Sequence, residues 1–381
     1  MVDQKRLTEQ FCKLVSFDSE SYGERQMADY LKKQLRCLGL QVEEDRAWER
    51  LEIPESERKT GEAGNLYGYL PAYESQAEPI LLSAHMDTVK PGIGKQAILH
   101  EDGRITSDGT TVLGADDAAG LAEILEVLRI LKERKLPHPE IEVLFPIAEE
   151  PYAQGSRVFD YTKLKARQAY VLDLSGPVGR AAVAAPTILA LQIRIRGRAA
   201  HAGFCPEEGI HTIAIAAKAI AQLPNGRTKR GTTVNFGTIR GGTGRNIVPD
   251  SCEITGEIRG LDHEDSMAQA DQIRRVFMQV AEEAGGSAEV EVKEEIHAYR
   301  TSEQSAVAER FRRACAKLGL QGELVDTLGG SDNNHFSRHG IQGLVVANAM
   351  NQVHSVHEYT TVQELVLATE LVLESIIDDK R

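Results

Sequence analysis

Residues 79–88 read Pro-Ile-Leu-Leu-Ser-Ala-His-Met-Asp-Thr. A short apolar run leads here directly into an imidazole, His85, and a carboxylate, Asp87. Residues two apart on a strand point to the same side, so these side chains can converge where the strand ends. Open α/β sheets place their ligands at that end, although a surface His-x-Asp pair would look the same in isolation. The stretch favours a strand that leads into a site.

Alternating strand and helix patterns surround this stretch. Short apolar runs bounded by turn residues lie at 65–70, 141–147 and 170–172, and a helical pattern covers about 118–135. Continuous apolar runs are typical of parallel strands that helices cover on both faces. The spacing therefore predicts an α/β fold with a mostly parallel sheet flanked by helices.

The pattern changes near residue 185. Apolar and polar side chains now alternate, as at 189–195, and strand and helix patterns follow in the order strand, helix, strand, strand, helix, strand. This βαββαβ order is that of a ferredoxin-like α+β unit, and the first pattern resumes after it. We therefore expect a discontinuous main domain, 1–184 and 297–381, with a smaller domain inserted at 185–296.

More ligand-type residues follow other predicted strands or precede the long helix. Two adjacent acids before a helix can be a cap and a first-turn residue, and each of the other signals has a comparably ordinary explanation. The ordinary explanations are improbable together, because four predicted parallel strands all end in such residues. These residues are Asp116, Asp117, Glu149, Glu150, Asp173 and His354.

The combined set indicates a metal centre. It contains two or three histidines, five or six carboxylates and no thiolate. Imidazole and oxygen ligands suit zinc, cobalt or manganese. The carboxylates exceed what one catalytic zinc needs, which points to two metal ions bridged by a carboxylate.

Composition excludes several other classes of function. The 381 residues include 44 Lys+Arg against 57 Asp+Glu, a net charge of −13, so we expect neither nucleic acid nor a membrane surface as a partner. No apolar stretch is long enough for a membrane span, and we expect no signal peptide. The five cysteines are far apart and form no C-x-x-C motif, which favours a reducing cytoplasm.

The motifs together resemble the M20 metallopeptidases, most closely their peptidase T-like branch. Residues 84–89, Ala-His-Met-Asp-Thr-Val, are similar to the family's first motif, and 113–120, Leu-Gly-Ala-Asp-Asp-Ala-Ala-Gly, to its second. The segment 148–150, Asp173 and the stretch 354–358, His-Ser-Val-His-Glu, are similar to the remaining motifs in family order. The resemblance covers nearly the whole chain, including the inserted domain.

The resemblance implies a role for each ligand-type residue. Asp116 would bridge two zinc ions per subunit, with cobalt or manganese as alternatives. One metal site would be completed by His85 and Asp173, and the other by Glu150 and His354.

The resemblance also implies the catalytic groups. Asp87 would orient His85, and Glu149 would be the general base that deprotonates a metal-bridging water. The family's bridging acid usually precedes a cis peptide, so the bond between Asp116 and Asp117 should be cis.

Residues of the inserted domain would contact substrate, again by resemblance. His201 would reach the active site of a neighbouring subunit in a homodimer, which makes the insertion a lid and dimerisation domain. Asn246 and Arg259 would hold the substrate's backbone or terminal carboxylate, a task that suits the planar guanidinium. Tyr152 stands where the family usually has glycine, which affects the loop beside the glutamate pair and so substrate preference.

These observations predict a dinuclear zinc exopeptidase that hydrolyses short peptides, as a tripeptide aminopeptidase does, by attack of a metal-bridging hydroxide. An amidohydrolase acting on dipeptides or N-acyl amino acids would use the same metal core and stays open. A catalytically inert relative that binds peptide or metal is the alternative from another class. Loss of a ligand or of Glu149 would favour it, and all of these residues are present.

Overall fold

The computed structural model describes residues 2–57 and 62–377 of the chain. The fold divides into two compact units. The first runs up to Val183 and then takes in Arg300–Thr327 and the residues from Ser331 onward, and the second comprises Ala184–Tyr299 and Leu328–Gly330. Residues 1, 58–61 and 378–381 of the predicted main domain lie outside the described residues.

Helices and strands alternate along most of the chain. The α-helices among the described residues are α1 (Gln4–Val15), α2 (Arg25–Leu38), α3 (Ala115–Arg134), α4 (Gln154–Arg157), α5 (Thr212–Ile220), α6 (His263–Glu283), α7 (Ala306–Lys317), α8 (Asn333–Arg338) and α9 (Val362–Ile376). The strands are β1 (Gln41–Glu44), β2 (Leu66–Leu70), β3 (Ile80–Ser83), β4 (Ile98–Leu99), β5 (Arg104–Thr106), β6 (Ile141–Phe145), β7 (Gln168–Leu174), β8 (Arg180–Ala185), β9 (Thr187–Arg196), β10 (Gly226–Arg227), β11 (Thr233–Gly241), β12 (Ser251–Gly260), β13 (Ser287–Ile296), β14 (Tyr299–Arg300), β15 (Glu323–Asp326), β16 (Gln342–Ala347) and β17 (Tyr359–Thr361).

A large mixed sheet forms the centre of the first unit. Its strand order is β1-β2-β6-β3-β7-β16-β8-β14, with β15 paired to β8. The four central strands, β6, β3, β7 and β16, are parallel, whereas β1, β2 and β8 pair antiparallel at the edges. Every residue of β3 and β6 is buried, as expected for strands with both faces covered. The predicted α/β fold is confirmed.

Helices cover this sheet through their apolar stripes. In α1 the buried side chains recur at helical spacing: Leu7, Phe11, Leu14 and Val15. The helix α2 ends at Gly39, whose φ of 100° is the left-handed conformation that glycine adopts without strain. The long helix α3 is buried along most of its length, because α1, α2 and α9 pack against it. It spans Ala115–Arg134, but Asp116 and Asp117 have non-helical backbone angles, so the predicted acid pair lies at a kink at the start of the helix.

The second unit is an antiparallel sheet packed against two helices. Its strand order is β10-β11-β12-β9-β13, and α5 and α6 lie against it. Ile193 of β9 pairs with Ile254 on one side and Val290 on the other, and Phe277 of α6 is fully buried against this core. The predicted βαββαβ order is confirmed, with the short β10 as an addition.

Candidate metal centre and active site

The central parallel strands of the first unit deliver the predicted ligand residues to one edge of the sheet. Parallel strands end at the same edge, so residues that follow them become neighbours. His85 follows β3, Glu150 follows β6, Asp173 lies at the end of β7, and His354 lies in the loop after β16. Asp116 joins them from the non-helical kink at the start of α3.

Asp116 lies at the centre of this cluster. Its Oδ1 is 3.0 Å from Nε2 of His85, and its Oδ2 is 3.2 Å from Nε2 of His354. The same His354 nitrogen is 3.1 Å from Oε2 of Glu150. The two oxygens of one carboxylate therefore face two different histidines, which is the arrangement that a bridging ligand requires.

Two sets of three side chains in this cluster have metal-ligand geometry. His85, Asp116 and Glu150 form one set, and His85, Glu149 and Asp173 form the other; within each set the ligand atoms lie within 4.8 Å of one another. The second set includes Glu149, for which the sequence predicts the role of a base and not of a ligand. His85 and Asp116 are buried, whereas 54% of the His354 side chain is exposed, so the cluster opens to solvent at that residue.

Asp87 contacts both the histidine and the glutamate pair. Its main-chain carbonyl lies 3.0 Å from Nδ1 of His85, closer than its carboxylate Oδ1 at 3.4 Å. The carboxylate also accepts hydrogen bonds from the backbone N–H groups of Glu149 and Glu150, at 2.9 and 3.2 Å, and from the hydroxyl of Ser21 at 2.7 Å. Asp87 thus fixes the ring of one predicted ligand and the backbone of the glutamate pair.

The density of buried acids shifts the pKa of most groups in the cluster. Burial and neighbouring carboxylates raise the pKa values of Glu149 and Asp173 well above the ordinary range. Burial also favours the protonated form of Asp116, but hydrogen bonds from the two histidines outweigh it and lower its pKa. Hydrogen bonds to Asp116 and Glu150 raise the pKa of His354 to about 10. Carboxyl groups crowded in this way need either protons or bound cations to offset their mutual repulsion.

The peptide bond between Asp116 and Asp117 is cis, as the sequence predicts. The carboxylate of Asp117 accepts hydrogen bonds from the backbone N–H of His85 at 3.1 Å and from the side-chain amide of Asn348 at 2.7 Å. A Cβ atom on Gly120 would lie 2.5 Å from Oδ1 of Asp117, so only glycine fits at this position.

Two buried glutamates support the site, and the sequence assigns them no role. Glu358 accepts hydrogen bonds from the backbone N–H groups of Gly114 at 2.6 Å and Asp116 at 2.9 Å, and so holds the loop that presents Asp116. Glu24 accepts one from the N–H of Ala148, next to the glutamate pair, at 3.0 Å. Glu358 belongs to the motif at 354–358, so its position in the sequence could have marked it as a site residue.

The loop after the glutamate pair has unusual backbone geometry. Tyr152 has a φ of 69° and Ala153 a φ of 51°, both in the left-handed region that favours glycine. Tyr152 therefore keeps the backbone conformation expected of the glycine that the family usually has there, and adds a side chain beside the glutamates.

The remaining predicted site residues lie in the second unit. His201 and Asn246 are both exposed and adjacent, because the backbone of His201 pairs with that of Ile247 and the N–H of Ala202 donates to the carbonyl of Asn246. Arg259 donates two hydrogen bonds to the carboxylate of Glu257, at 2.9 and 3.1 Å. The guanidinium that sequence reasoning assigns to a substrate carboxylate thus already has an acidic partner.

Comparison with protein families and known proteins identifies the chain. Residues 183–285 match the peptidase dimerisation domain of the M20 family, and residues 65–193 match peptidase family M28. An uncharacterised protein of Bacillus subtilis, YqjE, is 39% identical over 377 residues, which are 99% of each chain. Among solved structures, aminopeptidase PepT of Bacillus cereus is 39% identical with a TM-score of 0.90, over 98% of each chain.

The chain belongs to the M20 peptidases, in their peptidase T-like branch. A tripeptidase of Staphylococcus aureus is 35% identical to it, with a TM-score of 0.94 over 99% of this chain and 98% of the other. This M20 peptidase is therefore a hydrolase. Among the described residues of the M20 peptidase, no helix is both long and apolar enough to cross a bilayer.

Proposed function

We propose that this M20 peptidase is a dinuclear zinc exopeptidase that removes the amino-terminal residue from short peptides, with tripeptides as the preferred length. The observation that carries the proposal is the position of Asp116, with one carboxylate oxygen toward His85 and the other toward His354. The names of its similar proteins, aminopeptidase PepT and a tripeptidase, support the substrate class.

The residues present fit a pair of divalent ions. Oε1 of Glu150 is buried without a hydrogen-bond partner, although the other oxygen contacts His354. An unpartnered buried carboxylate oxygen is costly unless a proton or a cation compensates it. The donor set consists of imidazole nitrogens and carboxylate oxygens without thiolate, which suits zinc and also cobalt or manganese.

In the proposed centre, Asp116 would be shared between the two metals. His85 and Asp173 would complete one site, and Glu150 and His354 would complete the other. When bound, the zinc pair would activate a bridging water as hydroxide and polarise the scissile carbonyl.

Proton transfer falls to Glu149. Its carboxylate would take a proton from the attacking water and return it to the amine nitrogen that leaves. Asp87 assists by holding the backbone N–H of Glu149 and the ring of His85, so that base and ligand keep a fixed relation.

Substrate binding is proposed for three residues of the second unit. Asn246 and Arg259 would bind the backbone and the terminal carboxylate of the peptide, and His201 would serve the active site of the partner subunit in a homodimer. The match of residues 183–285 to a peptidase dimerisation domain supports the dimer. Five free cysteines among the described residues are in keeping with a cytoplasmic, reducing environment.

Substitutions at two adjacent residues, Glu149 and Glu150, distinguish the proposed general base from a proposed metal ligand. Glu149→Gln should retain zinc and lose turnover by about 10²–10⁴-fold, the range for loss of a general base. Glu150→Gln should lose zinc as well as turnover, and the exposed Glu101→Gln serves as the control. Zinc content is measured by mass spectrometry, and turnover with di-, tri- and tetrapeptides and with N-acyl amino acids.

The outcomes of this experiment are distinct. Cleavage of tripeptides from the free amino end supports the proposal, whereas cleavage of acylated substrates alone would make the enzyme an amidohydrolase. If Glu149→Gln loses zinc, Glu149 is a ligand, as the set that it forms with His85 and Asp173 would allow. Near-normal turnover in zinc-loaded Glu149→Gln would assign the base elsewhere.

A further inference from the structure

The second unit contains its own cluster of metal-ligand side chains. His263, Glu294 and His297 each offer a ligand atom, and these atoms lie within 4.8 Å of one another. Nδ1 of His297 is 3.2 Å from Oε1 of Glu294, and Nε2 of His263 is 4.0 Å from Oε2 of the same carboxylate. The two imidazole rings lie side by side, with centroids 4.2 Å apart.

An irregularity in β13 brings two of these residues together. Residues three apart on a regular strand point to opposite faces, so Glu294 and His297 would not meet. The pairing of β13 with β9 shifts register between Glu294 and Ile296, at the end of the strand. Such bulges redirect side chains and occur near functional sites. The third residue, His263, comes from a different element, because it is the first residue of α6.

A buried hydroxyl orients the ring of His263. Its Nδ1 is 3.1 Å from Oγ1 of Thr187, which is fully buried at the start of β9 and also accepts the backbone N–H of Ala298 at 2.9 Å. A histidine that binds a metal through one ring nitrogen usually donates its other N–H to a fixed acceptor. The hydrogen bond to Thr187 leaves Nε2 as the nitrogen that faces Glu294.

We propose that His263, Glu294 and His297 bind a divalent cation of the zinc class, independently of the proposed catalytic centre. Two imidazoles and one carboxylate are a known zinc donor set, and the fourth position would be taken by water. Ligand atoms around tetrahedral zinc lie about 3.3 Å apart; the contact between His297 and Glu294, at 3.2 Å, has this spacing, and that between His263 and Glu294, at 4.0 Å, would have to shorten. The ion would link the start of α6 to the end of β13, and Thr187 at the start of β9 would hold one of its ligands in place.

The test compares zinc binding by the full-length wild type and by a His263→Gln/His297→Gln double variant. Equilibrium dialysis at buffered free zinc, followed by mass spectrometry, should give one zinc fewer per chain in the double variant. The exposed His100→Gln variant is the control and should keep the wild-type content. Asp116→Asn should lower zinc content separately, so failure of the catalytic centre and failure of this site are distinguishable.

A second pair of variants leaves the three ligands in place. Thr187→Val removes the hydroxyl that orients His263, and Thr187→Ser keeps it. The valine variant should bind the additional zinc about 10–100-fold more weakly than the serine variant, the usual cost of losing such a partner. Equal zinc content in the wild type and the double variant would overturn the proposal, as would equal affinity in the valine and serine variants.

Discussion

Glu358 offers a sharp test of how the first unit holds its metal-site loop. Its carboxylate is buried and accepts hydrogen bonds from the N–H groups of Gly114 and Asp116, at 2.6 and 2.9 Å. Glu358→Ala leaves both buried donors without an acceptor, and each orphaned group costs about 1–3 kcal/mol. The free energy of unfolding should therefore fall by about 2–6 kcal/mol. Glu358→Gln keeps one acceptor oxygen, so its loss should be about half as large.

The assay is urea unfolding followed by circular dichroism, on protein freed of metal with a chelator. Metal-free protein is needed because zinc binding would add its own stabilisation to the folded state. The exposed Glu101→Ala is the matched control and should stay within about 0.5 kcal/mol of the wild type. Zinc affinity should also fall in both Glu358 variants, because the backbone of Asp116 loses its support. An alanine variant as stable as the control would refute the reasoning.

Three further predictions concern stability, pH and assembly. Arg6→Met removes hydrogen bonds of 2.8 and 2.7 Å to the buried Glu126. The free energy of unfolding, measured in urea, should fall by about 3 kcal/mol. This is the low end of the range for buried ion pairs, because 27% of the Arg6 side chain is exposed. Burial raises the pKa of Glu44, but hydrogen bonds from Arg25 and Lys32 outweigh burial and lower the pKa from 4.5 to about 2. The ionised Glu44 therefore stabilises the folded state fully above about pH 4.5, and this contribution is lost as the pH falls toward about 2. Glu44→Gln should accordingly lose less stability than the wild type in urea titrations between about pH 5 and about pH 2.5. The His201→Ala and Glu149→Gln variants should each be nearly inactive. If His201 acts in the partner's active site, a mixture of the two variants should regain part of the peptidase activity. The absence of any recovery after demonstrated subunit exchange would exclude that role.

The strand ends were predictable because their signal is local. Apolar runs that lead into acids or histidines mark the ends of β3, β6 and β7, and parallel strands then bring those residues to one edge. The antiparallel pairing of β1, β2 and β8 was not predictable in this way, because a short apolar run looks the same in either direction.

The supporting contacts escaped prediction for a different reason. Glu358 and Gly114 are 244 residues apart, and Glu24 and Ala148 are 124 apart, so no spacing rule connects them. A buried glutamate that accepts backbone N–H groups also has no fixed motif, since its partners are main-chain atoms of any residue type. The hydrogen bonds that the Asp87 carboxylate accepts from the backbone of Glu149 and Glu150 could not be predicted from the sequence for the same reason.

The discontinuity of the first unit sets an order of events during synthesis. Residues up to Val183 emerge first, yet their sheet lacks β16, which pairs with β7 at its centre, and α3 lacks its neighbour α9. The second unit emerges next with its own apolar core, and nearly all of it is complete while residues 300–377 are still unmade. Domains generally fold as units, in order from the N-terminus, as they leave the ribosome. We expect that order to be inverted here, because the earliest-made segments, including His85 and Asp116, pack against the last helix and strand only after synthesis is complete. A released chain that ends near residue 300 should hold a folded second unit beside a protease-sensitive N-terminal half.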